Sequence, residues 1–164
     1  MENNSPVVDS DIVKVDKYEP HKIANGKNDA TFFVASDDID MADLQRYRQE
    51  TQTEYLIAIT TTNKDYDCLK LADNVILCSP NEVQLVMQAF QLLHSGSGII
   101  GMDWNEVKWA ISSGRNIEFL HGMASGENCV ALACEQLIPK LKNLSSNYPI
   151  KNVMINMFAD ISFG

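Results

Sequence analysis

Three short apolar runs constrain the fold of this chain more than any other feature. Thr31 to Ala35 (TFFVA), Tyr55 to Thr60 (YLIAIT) and Asn74 to Leu77 (NVIL) have the β-branched and aromatic character of buried strands. Between the first two, Met41 to Glu50 predicts a helix, with Asp40 as its N-cap and acidic residues suited to the helix dipole. From Asn81 the period changes. Val83, Val86, Met87, Phe90 and Leu93 recur at spacings of three and four, so a helix to about His94 has one apolar face. Strands alternating with helices predict an α/β fold built on a mainly parallel sheet.

The flanking segments follow from the same signals. Ile12, Val13 and Val15 predict a short first strand, and Lys17 to Ala30, with Pro20, Asn25, Gly26 and Asn28, reads as loop. Ser95 to Gly98 (SGSG) breaks the long helix. It follows a helix instead of a strand, so it does not read as a phosphate loop. Asp103 to Ser112 predicts a further helix with Trp104, Val107 and Ile111 inward, and Asn116 to Gly122 a strand. Ser125-Gly126 opens a helix to about Ile138 with Val130, Cys134, Leu137 and Leu141 on one stripe; Pro139 is expected to kink or end it. Val153 to Phe158 (VMINMF) reads as a final strand, apolar on both faces. The chain thus divides into a loop-rich or poorly ordered segment, 1–30, a reduced Rossmann-like half with its central helix, 31–95, and a second part, 96–164.

Charge and composition narrow the function. A formal net charge of -9 over 164 residues disfavours nucleic acid and anionic membrane as partners, because both repel an acidic surface. No apolar run approaches the roughly 18 residues of a membrane span, and Met1 to Asp11 has neither the basic nor the apolar region of a signal peptide. Cys68, Cys78, Cys129 and Cys134 match no metal or redox spacing and read as small, reduced, buried hydrophobes, which fits a cytoplasmic location. His94 and His121 share no ligand spacing, and Asp37, Asp38 and Asp40 read as a solvated turn. No metal and no cofactor are expected.

The stretch IIGMDWNEVKWAI, followed by FLHGMASGENCVALACEQLIPKL and VMINMFADISF, resembles bacterial FtsZ, the tubulin-like division GTPase family. The most specific element is MASGEN, Met123 to Asn128, at the family's distance from the loop at Gly101 to Glu106. The resemblance covers roughly residues 74–163 and extends weakly to 31–73. It implies a central helix followed by a partial FtsZ-like second domain over 96–164. It also implies that Asp103 and Glu106 match carboxylates that act in trans, on nucleotide held by the next subunit of a filament. Gly101 stands where the family has asparagine. Gly101, Met102 and Trp104 then belong to the contact with that subunit.

The departures from the family are as informative. Its glycine-rich phosphate loop is replaced by Ser36, Asp37, Asp38, Ile39 and Asp40, and Val15 runs into Asp16, Lys17 and Tyr18 with no glycine loop. Carboxylates repel phosphate and lack glycine's backbone freedom. The isolated chain is therefore expected neither to bind nor to hydrolyse GTP. Three readings stay open: a degenerate FtsZ-like protein acting on a filament or on its own copies, an activating half for a partner's GTPase site, and a scaffold with an unrelated ligand. Self-association is expected from an apolar edge strand at Val153 to Phe158.

Overall fold

The computed structural model describes residues 13–92, 104–155 and 157. It is an α/β fold with one five-stranded parallel sheet. The strands are β1 (Val15–Lys17), β2 (Ala30–Val34), β3 (Tyr55–Thr60), β4 (Asn74–Leu77) and β5 (Asn116–Glu118), paired in the order β1-β2-β3-β4-β5. The register sets Phe32 beside Ile57 and Ile59 beside Ile76. Since side chains alternate along a strand, each strand feeds two cores. Phe32, Ile57, Ile59 and Ile76 enter one, and Phe33, Leu56 and Ala58 enter the other.

Helix α1 (Met41–Glu50) covers the second core with Leu44 and Tyr47, helped by the 3-10 helix Asp67–Leu71 with Cys68. Helices α2 (Val83–Leu92) and α3 (Trp104–Ser112) cover the first. The α2 face is the one the periodicity predicts, Val86, Met87 and Phe90, with Phe90 against Phe32 at 4.9 Å between ring centroids. Leu93 and His94 lie outside the described residues. Buried Asn74 fastens α3 to the sheet: its Nδ2 donates to the carbonyls of Ile111 at 2.9 Å and Gly114 at 3.0 Å. The chain leaving β3 therefore turns to one face of the sheet and the chain leaving β4 to the other. β5 joins the same sheet, so pairing crosses the boundary expected near residue 95.

The last third departs from the sequence expectations. Helix α4 opens at Cys129, not at Ser125-Gly126, and runs to Asn147 straight through Pro139. Proline there deprives the Glu135 carbonyl of its helical donor, but the position is exposed and water can serve that carbonyl. The inward stripe is also rotated. Cys129, Ala133, Leu137 and Leu144 face the protein, whereas Val130, Cys134 and Leu141 are exposed. The strand expected at Val153 to Phe158 is absent from the described part of that segment, which joins no ladder. Met154 packs on the first core and Val153, Ile155 and Met157 face outward. Without a neighbouring strand to satisfy its backbone, an apolar run does not become one. Among the described residues no helix is long and apolar enough to cross a membrane.

Candidate functional site

Phosphate would be expected at the carboxyl ends of the strands, where backbone donors of a following helix face solvent. Here the amide donors at the start of α1 are taken up by a side chain of the protein itself. Asp40 caps α1, its Oδ1 accepting from Ala42 N at 2.8 Å and Asp43 N at 3.3 Å. Asp37 pairs with Lys64 at 2.5 Å. The loop after β1 is strapped onto the same helix. Tyr18 donates its hydroxyl to Asp43 Oδ2 at 2.6 Å, and His21 donates its backbone N–H to the same oxygen at 2.9 Å. Arg46 reaches Asp43 Oδ1 at 2.5 Å. On the other side of Tyr18, Tyr47 donates to Asp16 at 2.5 Å, and Lys22 reaches Asp16 at 2.6 Å.

These bonds shift the titrations. The Tyr18 hydroxyl, Arg46 and the His21 amide hold the Asp43 carboxyl below the ordinary carboxylate range. Burial, then the bond to Asp43, pushes the Tyr18 phenol up. Burial opposes ionisation of Asp16, but Lys22 and Tyr47 outweigh it and its carboxyl is lowered. No local signal in the sequence marks these pairs, because the partners are 25 and 31 residues apart.

Of the residues assigned to the FtsZ-like loop, Gly101, Met102 and Asp103 lie outside the described residues. Trp104 and Glu106 open α3. Trp104 is half-buried against the first core, its ring edge-on to Tyr55 with centroids 6.0 Å apart. Glu106 is exposed in the first turn. Lys108 pairs with Glu54 at 3.5 Å. Since Tyr55 is the first residue of β3, the start of α3 sits at the amino end of the sheet, opposite the Asp40 loop. An exposed aromatic was missed on this helix. Trp109 is 69% exposed, on the side away from Val107 and Ile111, which the helical period could have indicated.

The MASGEN segment is a structural joint. Gln136 of α4 treats Met123 as a strand partner would: its Oε1 accepts from Met123 N at 3.1 Å and its Nε2 donates to Met123 O at 2.9 Å. Gly122 lets the two segments meet, because a Cβ there would lie 2.6 Å from the Ala133 carbonyl oxygen. Gly126 and Asn128 turn the chain with φ of 84° and 61°. Ser125 and Glu127 are exposed in that turn.

Beside this joint, a crevice of about 460 Å³ opens where the chains leaving β3 and β4 diverge. Thr61 to Asn63, Cys78 to Pro80 and Phe119 line it, with Lys140 of α4 at its wall. Partial burial raises the Glu118 carboxyl, and burial raises the Cys78 thiol. Cys78 is thereby a packing residue, since the thiolate is the reactive form. His121 offers its carbonyl to Lys140 Nζ at 3.5 Å. Among the described residues no group of His, Cys, Asp and Glu is arranged to hold a metal ion.

No protein-family model, no curated protein and no solved structure matches the chain.

Proposed function

We propose that the protein is an FtsZ-like relative without autonomous nucleotide binding that acts by protein–protein contact and modulates the assembly of an FtsZ-type filament. The observation that carries this reading is the opposition of two ends of one parallel sheet. At the carboxyl end, Asp40 takes up the amide donors of α1 that a phosphate would need. At the amino end stands the start of α3 with Trp104 and Glu106. Head-to-tail assembly uses two different surfaces, and growth requires both. A chain with a docking end and a closed nucleotide end would join a filament and stop it.

The test is to titrate the chain into a polymerising FtsZ-type GTPase at substoichiometric ratio. Shorter filaments, with no GTP bound by the chain itself in calorimetry, are expected. Unchanged filaments, or micromolar nucleotide affinity, would end the reading. The same assay separates the activating-half alternative, which the exposed position of Glu106 favours. There, turnover per filament subunit would rise, and the Asp103→Asn, Glu106→Gln pair would remove the rise while leaving binding.

A further inference from the structure

We infer that α4 is the contact of a two-fold homodimer, in which two copies of the helix pack antiparallel with Ile138 at the axis. The starting observation is the stripe that the fold leaves open. Val130, Ile138 and Leu141 are 58%, 46% and 39% exposed, Cys134 is exposed between them, and no residue of α4 is buried. Their spacings of four, four and three put all four side chains on one flank of the helix, three turns long. The inner flank is already used by Ala133, Gln136 and Leu137, and among the described residues nothing covers this stripe.

The charges choose the occupant and its direction. Glu135 and Lys142 are both exposed, and both border the open stripe on the side away from the protein. They are seven residues apart, roughly 10 Å along the axis, so they cannot pair within one helix. In an antiparallel pair the same borders face each other. Centring the axis at Ile138 brings Cys134 to within about 1.5 Å of the level of the partner's Leu141, and Glu135 as near to the level of the partner's Lys142, twice by symmetry. A parallel pair would set unlike borders together and leave both charges unmatched. Antiparallel packing also opposes the helix dipoles. A second copy of this chain thus supplies both the apolar stripe and the countercharge that α4 requires, and the contact is isologous.

The inference is independent of the filament reading, because the stripe involves neither the Asp40 loop nor α3. Sedimentation of the 164-residue chain should show a concentration-dependent dimer. Ile138→Asp should raise the dissociation constant at least about tenfold, with unchanged circular dichroism. Glu135→Lys and Lys142→Glu should each weaken the dimer, and the double exchange Glu135→Lys with Lys142→Glu should restore it. A wild-type chain that stays monomeric overturns the proposal, as does a dimer that survives Ile138→Asp. Single charge variants that weaken the dimer without rescue in the double exchange overturn the antiparallel geometry. If Ile138→Asp unfolds the chain, the exposed charge pair alone carries the same test.

Discussion

Truncating Trp104 distinguishes a core residue from a docking residue, because the structure gives the ring neighbours within its own chain. The indole is half-buried on the first core and meets Tyr55 edge-on at 6.0 Å. A tryptophan can bury roughly 200 Å², so at about 25 cal/mol per Å² a largely covered ring contributes ~3–4 kcal/mol. The edge-on aromatic pair adds about 0.5–1.5 kcal/mol. Alanine keeps part of the contact, and the site lies at the core margin where neighbours can close in, so Trp104→Ala should cost about 3 kcal/mol, the lower end for such changes. At ~2–4 °C per kcal/mol for a chain of this length, the melting temperature should fall by about 6–12 °C. Thermal and urea unfolding of the isolated variant measure this, and affinity for a filament subunit is then measured per folded molecule. A loss below about 1 kcal/mol together with abolished affinity would refute the packing argument and make Trp104 a docking residue.

Three further outcomes follow from the same contacts. Asp40→Ala removes the α1 cap and should cost about 1 kcal/mol, whereas Asp40→Asn should be nearly neutral; urea midpoints decide between them. Asp43 titrates below its ordinary value of 3.8 in the folded chain, so its contribution is whole above that value and is lost as pH falls through the folded one. Asp43→Asn should therefore destabilise the protein at neutral pH and flatten the decline in stability that sets in below about pH 5, followed by urea midpoints from about pH 7 down to about pH 3. A decline as steep as in the wild type would show that other carboxyls govern acid unfolding. In Gly122→Ala the new methyl meets the Ala133 carbonyl oxygen at 2.6 Å and Leu137 Cγ at 3.1 Å. The variant should lose about 1–3 kcal/mol as α4 is pushed outward, with faster amide exchange in α4 than in β3 as the signature.

The first half of the fold was largely legible in the residues themselves. The runs at β2, β3 and β4, the Asp40 cap and the apolar face of α2 are local signals, and each element sits where its own period and cap require. What became of the last third was not local. Nothing in Val153 to Ile155 says that these residues will join no ladder, and nothing in the α4 sequence says which of two adjacent apolar flanks will be covered. Gln136 settles that choice by bonding the Met123 backbone, and Gly122 by admitting the helix.

The candidate site divides in the same way. The lack of glycine and the acidic run at Asp37, Asp38 and Asp40 are facts of composition, and they alone argue against a phosphate loop. That Asp40 occupies the α1 donors, and that Tyr18 and Tyr47 lash the preceding loop to Asp43 and Asp16, arises only when segments 25 and 31 residues apart are folded together. The sequence by itself determined the secondary elements of the first half and a mainly parallel sheet, because hydrophobic period and capping act within a few residues. Tertiary structure decided which side chains take up the α1 donors, where the start of α3 lies, and which flank of α4 the described residues leave uncovered, because those are properties of distant groups competing for the same donors and the same apolar surface.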